Sequence, residues 1–487
     1  MKNRFNGNNQ LKREIGLFSA TILVIANMVG TGIFTTSGFI MAELGSPKIM
    51  LLCWLCGGIF ALCGALCYGE LGSRFPRAGG EYVFLRESFG RPMAFLSGWI
   101  SLVVGFSAPI AAAAIAFATY GFRAVGLSGE GGWFLTAGGT RIMVISPATL
   151  TAVAVILLFS LIHYHSLLTG SRVQNVLTLF KILFVLVFIG AGFWFGNGAT
   201  AHFHKTASAA SGIFEPFAIS LIFVSFAFSG WNAAAYLGGE IKQPQKNIPW
   251  ALLVGTTVVI ALYLLLNGVY IYALPVSHMS GVMEVGATAA TALFGDQASR
   301  YFIGAVSLGL LSVLSAMIMA GPRVYYAMAA DGIFFKPFGR VSSAHKTPAS
   351  SIFLQAAIAI LMVVTTSFNA LLIYIGFTLA LFAMLTVIGL MRIRHRQHGS
   401  TPGYRTLGYP LTPLLFILGN AWIIFFSLKS RPLASLFGLG TIAAGLILYF
   451  YFAYRTRTGP NSNSFRKHPL RNASEENYEQ THSKRST

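Results

Sequence analysis

The sequence predicts an all-α integral membrane protein of twelve transmembrane helices. Its first ten helices form an inverted repeat of five plus five, with helices 1 and 6 discontinuous. Three observations predict this. The 487-residue chain is 55% hydrophobic and only 10% charged, with mean hydropathy +0.67, whereas a soluble domain carries about 25% charged residues. Apolar stretches of roughly 20 residues, the length that crosses a bilayer, recur along the chain. Two of them, five apart in order, are interrupted at mid-length by glycines among polar residues. No stretch has the composition of a soluble domain, so the chain reads as one membrane domain.

Met1 to Glu14 is a polar, weakly basic tail. Span 1 runs from about Ile15 to Ala42. It is too long for a signal-peptide core and has no small-residue cleavage site, so it stays in the mature protein. Span 2 covers residues 49–71 and holds all four cysteines, Cys53, Cys56, Cys63 and Cys67. Their spacing puts them on one stripe of an apolar helix, where they read as small packing residues rather than zinc ligands. After a basic, turn-rich loop, Phe84, Leu85 and Phe89 suggest a short amphipathic segment on the cytoplasmic surface. Spans 3, 4 and 5 fall near 92–122, 146–162 and 173–195, and span 6 near 213–238. Spans 7 to 10 start near 249, 301, 350 and 370, and the second repeat closes near 391. Spans 11 and 12 occupy about 411–428 and 433–454. The domain thus extends over 15–455, and the polar tail 456–487 is expected to be disordered.

The net charge of +20 invites a nucleic-acid reading, but its distribution argues for a membrane one. With the N-terminus cytoplasmic, 26 of the 34 Lys and Arg fall inside, 7 outside and one within a span. That is the positive-inside bias. It places both termini in the cytoplasm and the chain in a cell membrane, plasma or bacterial inner. No nucleic-acid partner is expected, and some attraction to anionic lipid is.

The break in span 1 is Gly30-Thr31-Gly32. Each Gly costs about 1 kcal/mol relative to Ala in a helix interior. Opened backbone survives within a membrane only where it lines a cavity or holds a ligand. Span 6 has a matching break, Phe226-Ala227-Phe228-Ser229-Gly230-Trp231-Asn232. Five spans apart, the two enter from opposite sides, and paired interrupted helices point to a transporter site. Glycine is common in membrane helices, so either break alone could be a kink or a close contact. Their matched positions and the polar Thr31, Ser229 and Asn232 favour function.

The freed N–H groups of Thr31, Gly32 and Ile33, at the positive end of a half-helix, suit a carboxylate. Free carbonyls at the end of the first half-helix and in the span 6 break suit an ammonium. An α-amino acid carries both groups. Its side chain would face Phe226, Ser229 and residues of spans 3, 8 and 10. Trp231 adjoins the break and is a second gate candidate. No acid sits at the middle of a span to pair with a cationic side chain, which favours neutral substrates.

Lys181 lies about ten residues into span 5, roughly 15 Å deep at 1.5 Å per residue. A lysine there costs about 2.5–3.5 kcal/mol on insertion scales and is too deep to reach the surface. It reads as a buried functional amine that replaces a coupling cation. It would donate to carbonyls of span 1 and to Ser312 or Ser315 of span 8. His163 and His165 read as interfacial. No phosphate-binding loop, zinc protease motif or nucleophile elbow is present, so the chain reads as neither an enzyme nor a cofactor protein.

The Gly30-Thr31-Gly32-Ile33-Phe34 motif resembles the first helix of the amino acid–polyamine–organocation superfamily. Tyr68-Gly69-Glu70-Leu71-Gly72 with Pro76 and Gly79-Gly80-Glu81-Tyr82 is similar to its loop 2–3 signature. Phe226 to Asn232 with Glu240-Ile241 and Pro244, and Arg172-Val173-Gln174-Asn175 with Lys181, resemble the L-type amino acid transporters. The resemblance covers about 15–455. It implies a LeuT-like fold and carboxylate binding at Thr31 and Gly32. It implies amino-group binding around Phe226 to Ser229, a gate at Phe226 and, through Lys181, sodium independence. Animal members pair with a glycoprotein through a cysteine between spans 3 and 4. Residues 125–145 have none, so no disulfide-linked partner is expected and the chain reads as a monomer. Ser229 stands where close relatives often have Gly, which would narrow the pocket. The expected function is sodium-independent transport of neutral L-amino acids by alternating access, as exchanger or proton-coupled permease. The alternatives are a cationic amino acid or polyamine transporter and a membrane amino acid sensor without transport.

Overall fold

The computed structural model describes residues 11–129, 131–137, 140–204, 213–365, 368–396, 403–430 and 432–458. The expected polar tails lie outside the described residues, apart from 11–14 and 456–458.

The first apolar stretch folds as two helices, α1 (Leu17–Met28) and α2 (Thr31–Leu44), bent by 42° at the glycine break. Helix α3 (Pro47–Arg74) carries the four cysteines as free thiols, of which Cys56 alone is partly exposed. A turn through Gly79 (φ +117°) and Gly80 (φ +52°) leads into α4 (Glu81–Phe89). Helix α5 (Arg91–Ala124) widens to a π-helical stretch at Ser101–Ser107, just before Pro109. Helices α6 (Pro147–His165) and α7 (Leu167–Phe195) are separated by Ser166, whose hydroxyl caps α7 by accepting from the Thr169 N–H. The sixth stretch is again split, into α8 (Phe214–Phe228) and the single turn α9 (Ala233–Tyr236). Then follow α10 (Pro244–Ala273), α11 (Val285–Phe294), α12 (Asp296–Ala330), α13 (Ala349–Thr365), α14 (Phe368–Arg396), α15 (Leu411–Ser430) and α16 (Pro432–Thr458).

Among the described residues nine helices are long and apolar enough to cross a membrane, or ten if α1 and α2 count as one broken span. The remaining apolar helices, α8, α11 and α13, are shorter. Large apolar side chains such as Leu183, Val187, Leu418, Phe425 and Phe450 are exposed on the long helices. An apolar surface of this kind suits a multi-pass membrane protein. In the interior, α3 packs along α10, α5 along α12 and α2 along α8, while α1 lies among α7, α10 and α12.

Three features depart from the sequence reading. Residues Trp133–Ala137 and Thr140–Ile145 pair as an antiparallel hairpin in a chain expected to be wholly helical. Helix α4 does not lie on the surface, because Glu81 to Leu85 are all buried against neighbouring helices. His163 is not interfacial either: it is 2% exposed and bonds Ser315.

Candidate functional site

The glycine break works as its residue types suggest. Helix α1 closes with the Val29 N–H on Ile25 O, and Gly30 is extended (φ −124°, ψ −153°). No side chain caps α2. Thr35 and Thr36 turn their hydroxyls back onto the carbonyls of Thr31 (3.0 Å) and Gly32 (2.8 Å). The first N–H groups of a helix have no intrahelical partner, and the helix dipole adds partial positive charge to them. Thr31, Gly32 and Ile33 therefore stand at an uncapped helix start with partial positive charge.

In the second break the chain turns at Ser229, whose N–H donates to Phe226 O (3.0 Å), and at Gly230 (φ +96°), a backbone conformation glycine adopts freely. The two breaks touch. A Cβ on Gly32 would stand 2.6 Å from Ala227 Cα, and one on Gly230 2.9 Å from Asn27 O. Tyr263 of α10, a residue the sequence reading passed over, ties them together. Its hydroxyl lies 2.7 Å from Met28 O and 3.0 Å from Ala227 O, and its single proton serves one carbonyl at a time.

Lys181 sits behind the first break, 2% exposed, with Nζ donating to Ala26 O (3.1 Å) and Val29 O. The carbonyl end of α1 is thus committed to Lys181 and Tyr263. The expected contacts with span 8 are absent: Ser312 bonds Gly309 O (2.8 Å) and Ser315 bonds His163 Nε2 (2.9 Å). Both hydroxyls bond these partners, and Nζ reaches the span 1 carbonyls instead.

Between the breaks lies a cavity of about 150 Å³. Gly30, Thr31 and Gly32 line one wall, and Phe226 to Asn232 line another. Ile33, also named for the carboxylate, is buried in the core and does not line the cavity. Ser101 and Phe106 of α5, Val313 of α12 and Leu379 of α14 close the sides, matching the spans 3, 8 and 10 named above. Several polar residues at the cavity lie outside the sequence reading of the site, among them Asn27, Glu81, Tyr236 and Asn420. Asn27 presents Oδ1 with no hydrogen-bond partner among the described residues, and Asn420 comes from α15. Trp231 packs edge-on against Tyr68 (4.7 Å) and Phe416 (5.7 Å).

At one end the cavity reaches Glu81. Its Oε1 accepts from Tyr68 OH (2.6 Å) and Asn232 Nδ2 (2.8 Å), so Asn232 fastens the break to α4. Burial pushes the Glu81 carboxyl up to about 7, against the pull of the Tyr68, Asn232 and Tyr236 donors. Two other buried carboxylates stand on this side. Glu70 pairs with Arg74 and Arg394 and accepts from Thr406, and Glu240 receives both arms of Arg323 (2.8 Å each).

A family model described as amino acid permease matches residues 15–454. The chain is 29% identical over 455 residues to the serine/threonine exchanger SteT of Bacillus subtilis (strain 168), covering 91% of this chain and 97% of that one. It is 29% identical over 453 residues to the b(0,+)-type amino acid transporter 1 of Mus musculus (91% and 88% covered). To the large neutral amino acids transporter small subunit 2 of Homo sapiens it is 27% identical over 452 residues (92% and 82%).

Proposed function

Since the chain belongs to the amino acid permease family, we propose that it transports neutral L-amino acids, independently of sodium, by alternating access between the two sides of a membrane. The observation that carries this is the facing pair of helix breaks around one cavity. The N–H end of α2 takes the substrate carboxylate. The ammonium is taken by free carbonyls of the second break and by Asn27 Oδ1. Phe226 and Trp231 stand at the cavity as gates. A cavity of about 150 Å³, with Ser229 in its lining, is of the size that admits benzene, which fits a small or medium side chain.

Lys181 supports sodium independence. Its ammonium already holds the carbonyls of Ala26 and Val29, so that corner has a fixed cation. We read twelve spans in the LeuT arrangement, with α8–α9 and α13 completing the count and repeats over about 15–195 and 213–391. The basic end faces the cytoplasm together with both termini, in a plasma or bacterial inner membrane. All four cysteines lie in α3, which supports a monomer without a disulfide-linked partner.

A second reading, transport of cationic amino acids or polyamines, is favoured by one observation: the Glu81 carboxyl lines the cavity. The purified protein in proteoliposomes separates the two. Unlabelled alanine, serine and leucine should compete with labelled L-serine, and arginine, agmatine and putrescine should not. The reverse pattern overturns the neutral assignment. Uptake only into vesicles preloaded with amino acid marks an exchanger, whereas uptake into empty vesicles driven by a pH gradient marks a proton-coupled permease. Binding of L-serine with no flux under either condition would leave a sensor.

A further inference from the structure

Three carboxylates are buried among the described residues, Glu70, Glu81 and Glu240. Arginines neutralise the first and the third. Glu81 has no ion pair among the described residues. Its neighbours on every packed element are accounted for. Helix α3 presents Tyr68 and α9 presents Tyr236. Within α4, Arg86 is taken by Glu87 and by Asp331, just after α12. Tyr82 also bonds Asp331 (2.6 Å), and Arg323 of α12 is spent on Glu240. Arg91 stands at the start of α5. From α14, Arg392 lies over the Phe89 ring and Arg394 is on Glu70. A buried carboxylate without a counter-ion is costly, and such a group binds a proton instead.

Glu81 is also placed where a proton would matter. It lines the cavity and joins α3 and α4 to the inner part of the broken sixth span through Tyr68 and Asn232. The seat is tight. The Gly79 N–H donates to Tyr236 O (3.0 Å), and a Cβ on Gly80 would stand 2.5 Å from the Tyr236 ring. Movement of the α9 segment away from α4 therefore wets Glu81.

We propose that Glu81 is a proton-binding site of the transport cycle, holding a proton while the cytoplasmic side is closed and releasing it to the cytoplasm when that side opens. The inference rests on the transporter reading above. On opening, the carboxyl O–H bond breaks, the proton passes to entering water, and a hydrated carboxylate remains. On closing, the carboxylate takes a proton from cavity water. The sign follows from burial. A carboxyl near 7 when buried returns toward its ordinary value of about 4.3 when hydrated, so the closed state binds the proton more tightly. Between those values each unit of acidification favours the closed state about tenfold.

Two measurements test this on the full-length protein. In an infrared pH titration, a carboxylic acid band should titrate near pH 7 and be missing in Glu81→Gln. A band that titrates with the ordinary carboxyls, or that persists in Glu81→Gln, overturns the proposal. In proteoliposomes, L-serine exchange should rise with pH through about 7. It should be slow and independent of pH in Glu81→Gln, which is permanently neutral, with a wild-type elution profile and melting temperature in detergent to report a folded protein. Tyr68→Phe removes a donor that favours the ionised form, so its midpoint should move up by about one unit. A wild-type pH profile in Glu81→Gln overturns the role. If the wild type carries no amino acid at any pH, the transporter reading fails and the cycle role with it. The infrared band then decides for or against the proton site alone.

Discussion

Lys181 concentrates the residue-scale physics. A lysine in the interior of a membrane helix is expensive, and this one recovers part of that cost by donating to two carbonyls that the break in span 1 releases. Hydrogen bonds to a charged group contribute about 1.5–3 kcal/mol each. Lys181→Ala should therefore loosen the break and weaken substrate binding roughly 10- to 100-fold at 1.4 kcal/mol per decade, while the protein still elutes as a folded species. L-serine binding at wild-type affinity in that variant would remove Lys181 from the site. The depth of Lys181 could be read from the sequence. So could its use of span 1 carbonyls, but not which ones, Ala26 and Val29, nor that Ser312 and Ser315 bond elsewhere.

At the scale of elements, the two broken helices are held apart from ordinary packing by close backbone approach. The structure separates two glycines that look alike in the sequence. A Cβ on Gly32 meets the backbone of Ala227 at 2.6 Å, whereas one on Gly30 meets nothing nearer than a Val313 methyl group at 3.6 Å. Gly32→Ala should cost about 1–3 kcal/mol, the usual penalty of overpacking, and lower the apparent melting temperature in detergent. Gly30→Ala should change that temperature far less. Equal effects of the two would contradict the contact between α2 and α8. Helix α4 carries the opposite lesson. Its apolar positions were visible, but an amphipathic stretch buries its face equally well against lipid or against protein. Only the packing partners, α5 and α14, decide which.

For the whole molecule, buried ion pairs tie distant parts of the chain together on the basic side. Glu240, just after the sixth span, takes both arms of Arg323 with the pair 1% exposed or less. Removing one partner of such a pair typically costs about 3–5 kcal/mol, while replacing both by apolar residues is often nearly neutral. Arg323→Ala should thus be strongly destabilised in thermal denaturation, and Arg323→Leu combined with Glu240→Leu should recover much of the loss. A single variant that melts with the wild type would show that the pair contributes little to stability.

The sequence by itself determined the membrane class, the positions of both helix breaks, the buried lysine and the family. These are local or compositional properties. Hydropathy sums over about 20 residues, and a glycine weakens a helix wherever it falls. Tertiary structure alone decided what the freed groups do. Lys181 meets Ala26 across 155 positions, Tyr263 meets Met28 across 235, and Asn232 meets Glu81 across 151. No local pattern encodes contacts at such separations. The same holds for charge: three glutamates that look alike in the sequence differ because arginines from distant helices reach two of them and leave Glu81 buried beside the cavity without one.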